Sequence, residues 1–173
     1  MQRDDAELVD ASCRGDVTAF RELFERHYRM AVGITFSRLS DRHLAEDAAQ
    51  EAFATACRRM ALLKNRQRFR EWLGTICRRT ADRIARSRRN EKPIVDEPLA
   101  SPPSHDRDEL VARVHQALRR LSATSREVVV LHYFSELSHG EIATLLDITP
   151  DSVHGRLQRA RRQLASDLSV NEK

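Results

Sequence analysis

Four of the chain's five prolines fall within residues 92–104. Proline lacks a backbone N–H and its ring clashes with the preceding turn, so no helix runs through this stretch. It reads as an extended, flexible linker. A chain of 173 residues broken at that point makes two small domains, each with a thin core, rather than one large one. The expected division is 1–91, a linker at 92–108, and 109–173.

Both halves read as helix, so the expected class is all-α. In the first half, residues 5–14 form a helix that stops near Gly15. Asp16 caps a second, which aligns Phe20, Leu23, Phe24, Tyr28 and Ala31 on one face. Ser40 or Asp41 caps a third, with Ala45, Ala49, Ala52, Phe53, Ala56 and Met60 inward. A fourth starts near Arg68 and buries Phe69, Trp72, Leu73, Ile76, Cys77, Thr80 and Ile84 in one stripe. The pattern resumes after the linker at Leu110, Val114, Leu118 and Leu121. It continues over 126–134, then over two short helices split by a four-residue turn. Val128 to Leu131 have strand propensity, but their helical neighbours favour helix.

The formal net charge is only +4, yet residues 64–92 carry 11 basic and three acidic side chains, a local net of +8. Such a patch attracts a polyanion with salt-sensitive affinity. Arginine outnumbers lysine, which suits forked contacts to phosphate or carboxylate and equally suits a GC-rich genome. The acidic opening, Asp4, Asp5 and Glu7, does not read as an export signal. No apolar run approaches the roughly 20 residues that cross a bilayer. The expected location is the cytoplasm, with no membrane insertion. Cys13, Cys57 and Cys77 have neither zinc nor CxxC spacing and read as reduced.

Residues 137–164 hold the most specific pattern. Ser138 with Glu141 three positions on is a capping box. Ile142, Ala143 and Leu146 make the inner face of that helix. Thr149 caps the next, and Pro150 sits in its first turn, where a missing N–H costs nothing. Val153, Leu157, Ala160 and Leu164 line its inner side. This is a helix-turn-helix. The outer side presents Ser152, His154, Gly155, Arg156, Arg159 and Arg162. Four arginines and no acidic side chain lie between Val153 and Leu164. That composition fits insertion into a DNA major groove. An ordinary helical hairpin with a solvated basic face is the plainer reading.

Two further constellations are less specific alone. The fourth helix carries Arg78, Arg79, Arg83, Arg86, Arg88 and Arg89 beside its apolar stripe, with Lys64, Arg66 and Arg68 just before it. This is either a solvated surface or a nucleic-acid contact. Asp47, Gln50 and Glu51 give the third helix an acidic polar face, which either meets water or a basic partner. The chain has no Gly-rich phosphate loop, HExxH or nucleophile elbow, and its seven histidines are scattered. The expectation is therefore a protein that is not an enzyme, with no cofactor and no metal.

With these motifs in order, the sequence resembles the bacterial RNA polymerase sigma factors of the extracytoplasmic-function group. Asp47-x-x-Gln50-Glu51-x-Phe53 resembles the polymerase-binding signature of region 2. Phe69-x-x-Trp72-Leu73-x-x-Ile76 and the arginines after it resemble the segment that melts promoters and reads the −10 element. Leu137-Ser138-x-x-Glu141-Ile142-Ala143-x-x-Leu146, then Val153-x-x-Arg156-Leu157-x-Arg159-Ala160-Arg161, resemble the −35 reader, region 4. The likeness covers nearly everything but the linker. Departures fall at Cys77-Arg78-Arg79, where Ala-Arg-Asn is frequent, and at Arg83, where Asp is. Asp147 stands where Gly is usual, Asp151-Ser152 where Gly-Thr is frequent, and His154 where Lys is. Base preference is therefore not implied.

The resemblance implies a sequence of contacts. Asp47, Gln50, Glu51 and Phe53 bind core RNA polymerase. Ser152, His154, Gly155, Arg156, Arg159 and Arg162 meet the −35 groove of promoter DNA. Arg66, Arg68, Trp72, Arg78, Arg79, Arg83 and Arg86 engage and help melt the −10 element, with one base held out of the stack. An anti-sigma factor is an expected further partner, and the covalent chemistry belongs to the polymerase. The linker has few apolar groups to bind the halves together. They are expected to separate on the polymerase, while attraction can draw them together in the free protein.

Overall fold

The computed structural model describes residues 3–90 and 106–169; the side chains of 90 and 106–109, and the linker read over 92–108 as far as residue 105, lie outside the described set. Among the described residues four helices precede the linker: α1 Asp5–Cys13, α2 Val17–Leu39, α3 Arg42–Arg59 and α4 Phe69–Asn90. Two 3₁₀ turns, Met60–Leu62 and Arg66–Arg68, join α3 to α4. Four follow: α5 Asp106–Arg120, α6 Ala123–Tyr133, α7 His139–Leu146 and α8 Pro150–Ser169. Among the described residues there is no strand.

Local chemistry sets the boundaries. The Asp16 carboxylate accepts from Ala19 N–H and starts α2. The choice between Ser40 and Asp41 falls to Asp41, which accepts from Leu44 N–H and caps α3. Ser40 instead ends α2 in the left-handed conformation, with φ 54°. Ser138 and Glu141 form the reciprocal capping box on α7. Asp147 ends α7 at φ 54°, ψ 50°. A short polar side chain tolerates that region better than most, so the turn needs no glycine. Thr149 Oγ1 then accepts from Ser152 N–H at the start of α8. Val128 to Leu131 are helical and buried within α6.

In the N-terminal half, α2 is the central helix, with α1, α3 and α4 packed around it. Leu8, Leu23, Ile34, Phe69 and Leu73 are fully buried there. In the C-terminal half, α6 and α7 both pack on α8 around Val128, Leu131, Ile142, Val153 and Leu157. Fully burying a side chain of this size stabilises by about 1.5–3 kcal/mol.

The halves also pack on each other, through α2 against α6 and α4 against α7. The apolar groups that join them lie on helices, not in the linker. Val129 and Val130 of α6 are buried, and Leu145 of α7 reaches α4. Gly33 of α2 is so close to the other half that a Cβ there would stand 2.7 Å from Ser135 Oγ.

Candidate nucleic-acid and polymerase interfaces

The helix-turn-helix is laid out as its caps dictate. Ile142 and Ala143 of α7 and Val153, Leu157 and Ala160 of α8 are buried between the helices. Across α8, Ser152, His154, Arg159 and Arg162 are exposed, and Gly155 and Arg156 are half-buried. One continuous face of α8 therefore presents cations and small polar groups to solvent. His154 Nε2 lies 2.9 Å from Gln158 Nε2 one turn on. Arg161 lies off this face: its Nε donates to the Tyr133 hydroxyl at 2.6 Å, and its guanidinium covers the Tyr133 ring. That arginine ties α8 to α6.

Glu141 anchors the same unit. Its carboxylate accepts from Ser138 N–H at 2.9 Å and Ser138 Oγ at 2.8 Å, and from Arg70 of α4 at 2.8 Å. The Ser138 backbone bond, then Arg70 and the Ser138 hydroxyl, hold its pKa down at about 2.

On α3, Asp47, Gln50 and Glu51 are exposed side by side. Phe53 belongs to the core: it is 2 % exposed, with its ring 4.7 Å from that of Phe24. Its place in the motif is to seat α3, so the surface available to a partner is the polar trio.

The arginines of α4 and the loop before it divide into two sets. Arg68, Arg79 and Arg86 are exposed. Arg88 and Arg89 are exposed as well, whereas Arg66, Arg70, Arg78 and Arg83 have partners within the chain. Arg66 donates to the Met60 and Leu63 carbonyls and to Asp10, and so pins the loop. Arg83 donates to both oxygens of Glu51 at 2.5 and 2.6 Å. Arg78 donates from Nε to Glu127 of α6 at 2.8 Å and from a terminal nitrogen to the Leu145 carbonyl at 3.3 Å. Trp72 is half-buried, its ring 6.1 Å from that of Phe69.

Sequence reasoning missed Glu127, which is 4 % exposed and accepts from both Arg78 and Arg38. It missed Leu145 and Arg126 as well. Arg126 bridges the halves through the Ser37 carbonyl and Ser40 Oγ. Burial pushes its guanidinium pKa down, with neighbouring Arg119 adding to the effect. A carboxylate one residue before a buried valine run was the available signal for Glu127.

Among the described residues no group of side chains could hold a metal ion, and no helix is long and apolar enough to cross a membrane.

Comparisons with known proteins agree with this layout. Residues 23–91 match the family described as Sigma-70 region 2, and residues 112–164 match Sigma-70, region 4. The chain is 31% identical over 179 residues to the RNA polymerase sigma-H factor of Pseudomonas aeruginosa, covering 94% of this chain and 93% of that one. It is 30% identical to the ECF RNA polymerase sigma factor SigM of Mycobacterium tuberculosis, covering 95% and 84%. In structure it is similar to CnrH, solved in complex with the cytosolic domain of CnrY. The TM-score is 0.72 at 25% identity, over 97% of this chain and 99% of that one. The fold of Bartonella quintana RpoE, solved with the anti-sigma factor NepR, is also similar, with a TM-score of 0.63 at 24% identity over 90% of this chain and 100% of that one. Two sigma regions in order, on the helices that carry the exposed trio and the two arginine faces, identify the chain as a member of the extracytoplasmic-function group of RNA polymerase sigma factors, which direct core polymerase to promoters and begin transcription there.

Proposed function

We propose that three surfaces divide the work of initiation on this chain. Asp47, Gln50 and Glu51 dock on core polymerase. The outer face of α8, with Ser152, His154, Gly155, Arg156, Arg159 and Arg162, enters the −35 major groove. The face of α4 with Trp72, Arg78, Arg79, Arg83 and Arg86, together with Arg68 just before it, takes the −10 element and its displaced strand, and Arg66 holds the loop in front of it. The observation that carries this reading is that α3 and α8 expose faces of opposite charge on different helices, each of which already has an apolar side seated in the core. Such faces bind two partners at once instead of competing for one.

Domain limits at 1–91 and 109–173 fit this division, with the linker between them as tether. A tether raises the effective concentration of each weak DNA contact once the other is made. The linker's acidic residues Asp96 and Glu97 suit a passage through a basic channel of the polymerase. An anti-sigma factor is a further partner, of the kind that NepR is to the similarly folded RpoE of Bartonella quintana. The chain performs no covalent step itself, and it works in the cytoplasm beside the polymerase. Footprinting of the reconstituted holoenzyme tests the division. Protection of both promoter elements by the intact chain supports it, and protection of only one contradicts it.

A further inference from the structure

Val111, Val114 and Leu118 recur at the spacing of one helical side. α5 itself packs on α8. This stripe looks instead into a cavity of about 340 Å³. Val111 and Val114 are left 47 % and 37 % exposed. Phe36 of α2 and Val130 of α6 line the same cavity. Its walls are pinned: Arg119 donates to the Ser40 carbonyl at 3.0 Å, and Arg126 to the Ser37 carbonyl at 3.1 Å. The hollow is therefore pre-formed. Small-molecule pockets have about this size, roughly 300–1,000 Å³, and are mostly apolar with a few polar groups that fix orientation.

The polar groups at this cavity are Arg42 and Glu46 of α3 and His115 of α5. Glu46 is engaged, accepting from Arg42 Nε at 3.0 Å. The terminal nitrogens of Arg42 have no hydrogen-bond partner among the described residues. The His115 ring, 5.5 Å from that of Phe36, joins the apolar wall to this rim. Burial first, then the charges of Arg119 and Arg42, push the His115 pKa below its ordinary value. Two cations against one carboxylate leave the rim net positive. An apolar hollow with a positive rim suits a molecule with two ends, a hydrocarbon body and an anionic head. A partner helix would need a longer groove with several anchor points in register, and one hollow of this size offers a single anchor.

We propose that this cavity is a binding site for a small amphipathic carboxylate, with its aliphatic chain against Phe36, Val111 and Val114 and its head at Arg42 and His115. The chain supplies most of the affinity, because each methylene taken out of water tightens binding about fourfold. The head sets orientation, since the free fork of Arg42 matches a carboxylate. A cationic head of the same length would meet Arg42 and Arg119 instead and is rejected. None of the residues assigned above to polymerase or DNA lines the cavity, so occupancy is measurable apart from those surfaces.

Decanoate, kept below the concentration at which it forms micelles, is the probe, titrated into the full chain by calorimetry. One saturable site is expected, with affinity rising about fourfold per methylene from hexanoate to decanoate. Decyltrimethylammonium should bind at least about tenfold more weakly, because its charge repeats that of the rim. Arg42→Ala should weaken decanoate about two- to fivefold, the worth of an exposed charged contact. Val114→Trp fills the hollow from a partly exposed position and should abolish saturable binding with the helical signal unchanged. Whether or not that variant folds, nuclear magnetic resonance of the unaltered chain gives a second reading. Decanoate should shift resonances of Phe36, Val111 and Val114, and should raise the His115 ring pKa as a carboxylate arrives beside it. Absence of a saturable site, affinity indifferent to chain length or to the sign of the head, or shifts spread along the arginine face of α4 overturns the proposal. A chain that sediments as a dimer and takes no decanoate overturns it as well, and assigns the cavity to a second copy.

Discussion

Arg83 of α4 donates to both carboxylate oxygens of Glu51 of α3, at 2.5 and 2.6 Å. Glu51 belongs to the acidic trio proposed to dock on polymerase, and Arg83 to the arginine face proposed to take DNA. The two surfaces therefore meet at one ion pair. Both side chains are about half exposed, so the pair contributes about 0–1 kcal/mol to stability.

Reversing this charge should therefore separate binding from folding. Asp47→Lys with Glu51→Lys is expected to lower affinity for core polymerase at least about tenfold, as loss of a charged contact pair does. The helical circular dichroism signal should not change, because neither residue is buried. Unchanged affinity in a core pull-down would remove the trio from the docking surface.

Two arginines of α8 should behave differently. Arg159 is exposed on the outer face, and Arg159→Ala is expected to weaken DNA binding. A phosphate contact would appear as a uniform loss with the salt slope reduced by about one. A base contact would appear as a loss of about 1–3 kcal/mol at one position of the site. Arg161→Ala should instead lower the melting temperature, since that side chain holds Tyr133, and should leave sequence preference alone. Fluorescence anisotropy at several salt concentrations reads the first effect and thermal unfolding the second.

Glu141 gives the helix-turn-helix a pH dependence of known sign. Its folded pKa, about 2, lies below the ordinary value of 4.5 because Ser138 and Arg70 hold the carboxylate. The stability it contributes is complete above pH 4.5 and is lost as pH falls toward 2. Glu141→Gln should flatten that part of the melting-temperature curve between these limits. A curve with the same slope in the variant would show that other carboxylates dominate acid unfolding.

Truncation of the core should be costly at Phe69, the first residue of α4, which is fully buried against His27. Phe69→Ala is expected to destabilise by about 3–5 kcal/mol. Denaturant unfolding with an unchanged slope would confirm a loss of stability without a change in the unfolded ensemble.

Helices, caps and the helix-turn-helix were legible in the sequence because each depends on residues a few positions apart. The capping box of Ser138 and Glu141, the left-handed Asp147 and the buried faces of α4 and α8 are of this kind. What was hidden depends on the approach of distant segments. Leu145 is buried because α4 lies over it, and nothing in the spacing of α7 signals that. Gly33 reads as a weak point in a helix until Ser135, about a hundred positions on, is seen against it. Arg78 and Arg83 look like two of many surface cations, and only the fold supplies Glu127 and Glu51 as their partners. Phe53 shows the converse: a motif names it beside exposed residues, but the helix period turns it inward.

Two tethered DNA-binding faces are proposed to make core polymerase promoter-specific. Multi-template transcription in vitro with purified core polymerase, with and without the chain, over a fragmented genomic library tests it most directly. Discrete start sites are expected that appear only with the intact chain, share two upstream elements at fixed spacing, and vanish when either half is supplied alone. Transcripts indistinguishable from those of core polymerase alone, or full promoter opening by residues 1–91 without the second half, would contradict it.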